Sequence, residues 1–348
     1  MKRILALFIS VSCFGATQAY AQPETDTLPN LPTVEITPEL FPTPVPTPSV
    51  VESVPSDKPL PSSNPEEQRP SLSYEFPKLT EGRSATLKLK LNSAYLRVQY
   101  PVRGRLVYDD LSYDQSKKST ETITFEIPES GSLAVPVIFR TPGKKKIRIE
   151  TDLAEIPARN ILAYIEPFSA SIFPRPLEER KWSKDPKDWH VWVNLHTDYQ
   201  GKQSQRQYYL VTYKGEIMQK LLTSGAAPGM VTPQGKFKLG PKMAAPRSTK
   251  YASLMPFWST IRIPGYTFEY GNHGLVGESY LYRLGTPASH GCLRLSNKWI
   301  QTNGKRLNIG GAKWVYHHVP VGTPIHIFRR AVQPFAFESY SMWLARRS

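Results

Sequence analysis

The sequence predicts a mainly β protein with two β-rich folded units behind an N-terminal leader and a long tether. Short segments that alternate apolar and polar residues recur along the chain, and clusters of Gly, Pro and Ser separate them. Alternation at period two is typical of half-buried strands, whereas stretches with helical periodicity are scarce. The 348 residues leave room for two domains. We therefore expect two β domains in series with few short helices.

The first 21 residues are typical of a secretory signal peptide. Lys2 and Arg3 form the positive end, residues 4–15 are apolar, and residues 19–21 read A-x-A before the expected cleavage site. The apolar run is too short to span a bilayer, so we expect no transmembrane anchor and a location in the periplasm or cell envelope. Cys13 should leave with the leader; its lipidation is the disfavoured alternative.

Residues 22–72 are predicted to form an extended, disordered tether. They contain 13 prolines and eight acidic residues against Lys58 and Arg69. Such a composition cannot bury enough apolar surface to offset its ordering entropy, and its prolines favour extended conformations. We expect this segment to act as a linker that extends the reach of the domains behind it; a proline-motif docking site is the alternative.

Residues 73–168 are predicted to form a small antiparallel β-sandwich, immunoglobulin-like in architecture but without the cysteine pair of antibody domains. Turn sequences separate the candidate strands. These strands are Ala85–Leu91, Leu96–Tyr100, Ile123–Ile127, Leu133–Phe139 and Ile147–Ile149. No catalytic constellation is found here, so positioning or partner binding is expected, with a pure spacer as the alternative.

A bridge at 169–190 leads to a second strand-rich unit at 191–330, followed by an aromatic tail at 331–348 that we expect to pack on the domain. Lys214-Gly215 predicts a hairpin turn in the second unit. Residues 296–303 predict a helix capped by Ser296 or Asn297, and residues 313–319 predict a strand.

The second unit is strongly basic. Residues 188–330 hold 18 Lys and Arg against 5 Asp and Glu, a net charge of +13. In an exported protein this charge favours an anionic envelope polymer or membrane surface over nucleic acid as the partner.

Cys292 is the single cysteine that remains after the leader is removed, so no intramolecular disulfide can form. It lies in Ser289-His290-Gly291-Cys292, with Arg294 two residues later and a predicted helix start close behind. An imidazole, a cation and a helix start all lower the pKa of a thiol, which predicts a reactive cysteine. Gly291 permits a tight backbone whose amides could converge on one oxyanion.

A reactive thiol needs a base within hydrogen-bond reach, and His273 in Tyr270-Gly271-Asn272-His273-Gly274 is the preferred candidate. His290 is constrained by its closeness to Cys292. The other histidines are interpreted as structural or ordinary polar residues: His190, His196, His317, His318 and His326. A zinc site of His273, His290 and Cys292 is the competing chemistry. No acidic base or close-spaced ligand pair supports it, so no metal or other cofactor is expected.

These motifs resemble the YkuD-type L,D-transpeptidases over about Val191 to Phe328. The resemblance depends most on two elements, His273-Gly274 and the run from Ser289 to Leu295 followed by Asn297. Two weaker stretches support it: Thr232-Pro233-Gln234-Gly235-Lys236-Phe237 and Met255-Pro256-Phe257-Trp258. The resemblance implies a mixed β catalytic domain with few short helices that rearranges peptidoglycan stem peptides. Trp299 departs from the acidic residue common at its position in relatives.

By this resemblance, Cys292 is the nucleophile and His273 its base, oriented by the backbone carbonyl of Gly274. Amides around His290, Gly291 and Cys292 would hold the oxyanion. Ser289 and Arg294 are expected to bind substrate, although Arg294 could instead brace the loop. Thr232 to Gly235 is expected to shape the cleft wall.

The family reaction releases D-Ala from a tetrapeptide stem and transfers the acyl group to an amine. The amine could belong to a second stem, giving a 3-3 cross-link, or to an envelope protein. Two alternatives stay open. Water could resolve the acyl-enzyme, as in an L,D-carboxypeptidase or a hydrolase, or the chain could be a non-catalytic wall-binding protein.

Overall fold

The computed structural model describes residues 70–92, 98–177, 182–198, 204–266 and 269–346, all within one compact unit of the chain. The predicted signal peptide and all but the last three residues of the predicted tether lie outside the described residues, as do residues 96 and 97 of the candidate strand at 96–100. Its remaining residues, 98–100, are not in a strand. Within the described ranges, no helix is both long and apolar enough to cross a membrane.

The N-terminal part of the described chain forms two antiparallel sheets. One has three strands in the order β1-β2-β5 and the other has four in the order β4-β3-β6-β7. The strands are β1 (Ser71–Glu75), β2 (Ser84–Asn92), β3 (Val102–Leu111), β4 (Lys118–Ile127), β5 (Ser132–Ile138), β6 (Gly143–Thr151) and β7 (Arg159–Ile165).

The alternating pattern of the sequence sets which face of each strand is buried. On β2, Leu87, Leu89 and Leu91 are buried whereas Lys88 and Lys90 are exposed. The buried side chains of both sheets pack into one shared core. Period-two alternation therefore predicted β2, β4, β5 and β6 and their inward faces, but not β1, β3 and β7. The comparison with immunoglobulin architecture stays a prediction.

The second part of the chain is built on an eight-stranded sheet in the order β10-β9-β8-β17-β11-β12-β13-β14. Its neighbours are antiparallel except for two parallel pairs, β17 with β8 and β13 with β14. Its strands are β8 (Trp189–Asn194), β9 (Tyr208–Tyr213), β10 (Glu216–Leu222), β11 (Gly235–Met243), β12 (Trp258–Arg262), β13 (Tyr270–Gly274), β14 (Leu293–Leu295) and β17 (Pro324–Phe328). The mainly β fold expected from the sequence is confirmed.

A small hairpin and two short helices complete the described part of the chain. The hairpin pairs β15 (Trp299–Thr302) with β16 (Lys305–Asn308). The helices are α1 (Gly311–His318) and α2 (Tyr340–Ala345). Short turns of 3-10 helix lie at Pro186–Asp188 and Glu278–Arg283.

The helix predicted at 296–303 is wrong, because this stretch enters the β15–β16 hairpin. Asn303 and Gly304 form its turn with φ values of +49° and +71°. Asn-Gly is the pair that tight hairpin turns favour, and it outweighs the capping signal of Ser296 and Asn297.

The strand predicted at 313–319 is also wrong, because His317 and His318 end helix α1 instead. Ala312, Val315 and Val319 are fully buried, at spacings of three and four residues that place them on one helical face. The spacing of the buried apolar residues in this short segment is therefore that of a helix.

The predicted turn at Lys214-Gly215 is confirmed, with φ values of +49° and +80° between β9 and β10. The C-terminal tail packs on the domain, as expected. Phe335 is buried, and the Trp343 ring lies 4.4 Å from that of Phe173. Met342, however, is exposed.

The sandwich is joined to the second sheet through β10. Lys220 Nζ lies 2.9 and 3.2 Å from the two carboxylate oxygens of Glu81, and the Lys220 side chain is fully buried. Glu81 also accepts a hydrogen bond from the Phe168 amide. Nearby, the Tyr113 hydroxyl donates to the Gly215 carbonyl. A buried carboxylate and ammonium thus hold the two sheet systems together.

A second contact between the two parts involves histidines that the sequence predicts to be ordinary polar residues. His326 Nδ1 lies 3.0 Å from a carboxylate oxygen of Asp114, a residue of the sandwich. His190 stacks on Trp192, and burial lowers the pKa of His190 to about 4. For His190 and His326 the interpretation was therefore incomplete, because their partners are distant in sequence.

We expect Lys220→Met to destabilise the protein strongly, since it would leave the Glu81 carboxylate buried without a counter-charge. Breaking a buried pair from one side costs about 3–5 kcal/mol. Chemical denaturation should show this loss, and the double variant Glu81→Gln, Lys220→Met should recover much of it.

The matched control is Lys88→Met, which removes a pair with Glu75 in which both side chains are mostly exposed. Its denaturation midpoint should barely move. If Lys220→Met behaved like this control, the buried pair would not hold the two parts together.

Candidate active site

Parallel pairing of β13 with β14 places His273 and Cys292 on one face of the sheet. His273 is opposite Arg294, and Asn272 is opposite Leu293. Side chains alternate along each strand, so Cys292, Arg294 and His273 share one face while Leu293 and Asn272 share the other. The two residues predicted from the sequence as nucleophile and base therefore come from adjacent strands and point to the same side.

Strand β14 lies at the edge of the sheet and is held from both sides. Leu293 and Leu295 are fully buried in the core. On its free side, Ser224 exchanges two backbone hydrogen bonds with Arg294, at 2.9 and 3.1 Å. Cys292 itself stays partly accessible. The strand is thus fixed while the thiol at its start can meet a substrate.

The imidazole of His273 is held in one orientation. Its Nδ1 lies 2.9 Å from the carbonyl oxygen of Gly274. A carbonyl can only accept, so Nδ1 carries the hydrogen and Nε2 is the free basic nitrogen of the neutral ring. The indole of Trp258 lies nearly parallel to the imidazole, with ring centroids 6.0 Å apart. Burial lowers the pKa of His273 to about 4, against the opposing Gly274 hydrogen bond.

Gly271 makes room for this arrangement between the two strands. A Cβ at this position would lie 2.6 Å from the Trp258 ring and 2.7 Å from the Ser259 carbonyl oxygen. The sequence singled out Tyr270 to Gly274 for its small residues, but it did not reveal that the partner packed there is Trp258.

The expectation of a low thiol pKa is wrong for the free protein. Burial raises the pKa of Cys292, and this outweighs a backbone hydrogen bond from Gly271 and the charge of Arg294, which both lower it. The predicted helix start behind the cysteine is absent, because a strand follows instead. At neutral pH the pair is therefore a thiol and a neutral imidazole.

The loop before Cys292 is braced by two hydroxyl groups. The Ser289 Oγ accepts a hydrogen bond from the Gly291 amide at 3.0 Å. Thr232 Oγ1 donates to the Gly291 carbonyl at 2.7 Å and accepts from the Ala226 amide at 2.9 Å. The turn at Thr232 thus contacts the cysteine loop directly. An oxyanion could take the Gly291 amide only by displacing Ser289 Oγ.

Two other predicted site residues have contacts of their own. Arg294 Nη1 donates to the Ala288 carbonyl at 2.9 Å, which is the bracing contact that the sequence left open. The His290 side chain is exposed and stacks on Tyr251, with ring centroids 4.4 Å apart. Tyr251 was missed by the sequence analysis, because nothing in its local pattern marks it. No cluster of His, Cys, Asp or Glu suited to a metal occurs among the described residues.

Residues 188–327 match the family model of the L,D-transpeptidase catalytic domain, YkuD. This part of the chain is therefore similar to the YkuD-type catalytic domain, as the sequence motifs indicated. No curated protein matches the chain.

Several solved structures are similar to this chain. An L,D-transpeptidase from Stackebrandtia nassauensis is 17% identical over 46% of this chain and 62% of its own, with a TM-score of 0.28. One from Mycobacterium smegmatis is 13% identical over 74% of this chain and 100% of its own, also with a TM-score of 0.28. The catalytic domain of an Enterococcus faecium L,D-transpeptidase, acylated by ertapenem, is 18% identical over 40% of this chain and 97% of its own, at 0.28.

We expect Gly291→Ala to distort the cysteine loop. Gly291 has φ +133°, and a Cβ there would lie 2.9 Å from both the Tyr270 ring and the Val231 carbonyl oxygen. Backbone strain of this kind costs about 1–3 kcal/mol, and the clash adds to it. The melting temperature and the rate of Cys292 alkylation should both fall.

Gly229→Ala is the control, because Gly229 also has a positive φ of +82° but has nothing within 4 Å of the added Cβ. It should lose some stability and keep the alkylation rate. Equal rates in the two variants would mean that the close packing at Gly291 does not position the thiol.

Proposed function

We propose that this protein is an L,D-transpeptidase that acts on peptidoglycan stem peptides through an acyl-enzyme on Cys292. The observation that supports this most is the β13–β14 register, which sets the thiol and the oriented imidazole of His273 on one face of the sheet. The YkuD-type domain over residues 188–327 indicates the class of reaction.

In the first half-reaction, Cys292 Sγ attacks the carbonyl carbon that joins the third stem residue to the terminal D-Ala. His273 Nε2 takes the thiol proton as the S–C bond forms. Because both groups are neutral beforehand, the proton moves during the attack rather than before it. Backbone amides near His290 and Cys292 stabilise the oxyanion. The Gly291 amide can join them if it gives up its hydrogen bond to Ser289 Oγ.

The tetrahedral intermediate then collapses to a thioester. The C–N bond breaks, and His273 Nε2 returns its proton to the departing amine of D-Ala. In the second half-reaction an acceptor amine attacks the thioester carbon, gives a proton to Nε2, and the same proton returns to Sγ. Bonds and protons balance without a metal or cofactor.

The acceptor is proposed to be an amine of a second stem or of an envelope protein lysine, and the reaction to take place in the periplasm or cell envelope after export. The net charge of +13 over residues 188–330 suits a polymer that bears carboxylates. The bracing contact of Arg294 leaves some of its N–H groups to face such a carboxylate.

Product analysis tests the proposal. The protein is incubated with purified tetrapeptide-stem muropeptides, with and without a tripeptide-stem acceptor, and its intact mass and the products are recorded. We expect D-Ala release, a thioester adduct on Cys292 and a cross-linked product. The variants Cys292→Ala and His273→Gln should each lose product formation while keeping the melting temperature.

Other outcomes reassign the activity. D-Ala release that yields only tripeptide would make the protein an L,D-carboxypeptidase. An absence of product together with no carbapenem adduct on Cys292 would contradict catalysis altogether and favour a wall-binding protein.

The pKa values predict the pH dependence of Cys292 acylation by a carbapenem. The pKa of His273 is lowered to about 4, so its imidazole stays unprotonated until the pH falls close to that value. The raised pKa of Cys292 keeps the thiol protonated through neutral pH. The rate should be nearly flat from about pH 5 to 8 and fall below about pH 4.

Stopped-flow or intact-mass time courses would measure this profile. The comparison is His273→Gln, whose slow rate should rise with pH as free thiolate forms. A wild-type rate that dropped about fourfold between pH 8 and 6 would contradict a neutral pair, since that is the loss expected of a base with an unshifted pKa.

A further inference from the structure

One face of the β15–β16 hairpin presents an exposed aromatic ring beside polar and cationic groups. Trp299 pairs with Asn308, and Gln301 pairs with Arg306, so these side chains share a face. The Trp299 side chain is 42% exposed. The Arg306 guanidinium carbon lies 4.8 Å from the centre of its ring, and Lys313 Nζ of α1 lies 6.0 Å from it. We call Trp299, Gln301, Arg306 and Lys313 the hairpin platform.

The platform lies in a part of the chain without negative charge. Residues 279–337 contain no Asp or Glu and eight Lys and Arg. Neither Arg306 nor Lys313 has an ion-pair partner among the described residues; the nearby Lys298 is paired with Glu278. The cations of the platform are therefore available to an anionic ligand.

The root of the hairpin is fixed to the active-site strand. Asn308 Nδ2 donates to Asn297 Oδ1 at 2.6 Å, and Asn297 Nδ2 donates to the Leu275 carbonyl at 2.9 Å. The Asn297 side chain also packs against Gly274, directly after His273. A ligand on the platform would thus lie on an element built onto the strand that holds the base.

We propose that the hairpin platform binds the glycan strand whose stem peptide occupies the active site. This proposal rests on the proposed function for the identity of the polymer. A flat, exposed indole provides a stacking surface for a sugar ring, and Gln301 can bond to its hydroxyl and amide groups. Arg306 and Lys313 then face the carboxylates of neighbouring stems along the strand.

The pairing of Trp with Arg is what distinguishes this face from general basic surface. Trp and Arg are enriched among residues that dominate binding energy, whereas Lys is depleted at interfaces. The opposite face of the hairpin presents two cross-strand pairs, Thr302 with Lys305 and Ile300 with Leu307. It has a positive charge but no aromatic ring, so it provides an internal control.

The test measures binding of the whole chain carrying Cys292→Ala, which cannot turn over. The probes are stem-bearing glycan strands, neutral chitin oligomers as sugar without charge, poly-glutamate as charge without sugar, and vesicles of anionic phospholipid. The variants are Trp299→Ala and Arg306→Gln, with Lys305→Gln as the matched loss of one charge on the other face.

We expect Trp299→Ala and Arg306→Gln each to weaken binding to stem-bearing strands about tenfold, and Lys305→Gln to change it by less than about twofold. Arg306→Gln should matter less at high salt, whereas Trp299→Ala should matter at all salt concentrations. Chitin oligomers should lose affinity only with Trp299→Ala.

Three results would overturn the proposal. If all three variants bound the strands with equal affinity, the platform would have no part in binding. Equal losses for Arg306→Gln and Lys305→Gln, with poly-glutamate bound as well as the strands, would reduce it to non-specific charge. A Trp299→Ala defect seen with vesicles but not with strands would make it a membrane-binding face.

The result is separable from that of the proposed function. With Cys292 restored, Trp299→Ala should keep the wild-type rate of acylation by a small carbapenem, because that probe carries no sugar ring to stack on the indole. If the wild-type chain formed no acyl-enzyme at all, the proposed function would fail while strand binding could still be measured.

Discussion

The parallel pairing of β13 with β14 is the contact on which the candidate site depends. Parallel strands cannot be joined by a tight turn, so the chain between Gly274 and Leu293 has to leave the sheet and return to its edge. The returning segment is the cysteine loop, which Ser224 and Thr232 fasten from the other side. A slip of one residue in this register would turn Cys292 toward the core. The buried side chains of Leu293 and Leu295 oppose such a slip, because they would then become exposed.

The same packing sets the chemistry of the pair. Trp258 covers His273 because Gly271 has no side chain, and the water thus excluded would otherwise solvate an imidazolium. Burial also favours the uncharged form of Cys292, and therefore raises the pKa of its thiol. A thiol is less easily oxidised than a thiolate. Under the proposed function, a cysteine that becomes nucleophilic only when His273 takes its proton would suit the oxidising compartment that the leader predicts.

The sandwich and the eight-stranded sheet are coupled through a pair of charges that neither part could bury alone. Glu81 and Lys220 would each be an isolated buried ion without the other. Asp114 and His326 add a polar contact between the same two parts, in which burial lowers the pKa of His326 and favours its neutral ring. The sandwich is therefore more than a spacer in the structure. It contacts β10 and β17, two strands of the sheet that also holds β13, and so helps to fix the frame of the site.

The sequence by itself determined the class of fold, the alternating faces of strands such as β2, the turn at Lys214-Gly215 and the identity of Cys292 and His273 as the candidate pair. These depend on local periodicity or on short motifs, which residue order contains directly. Prediction from the sequence failed at 296–303, where a helix-capping signal competed with the Asn-Gly turn signal. It also failed at 313–319, where a short helix was predicted as a strand. The tertiary structure alone decided the raised thiol pKa, the contact of Arg294 with the Ala288 carbonyl, the stacking of Tyr251 on His290 and the pairing of Glu81 with Lys220. Each of these depends on which distant segments meet and how much water they exclude, and no local pattern encodes that.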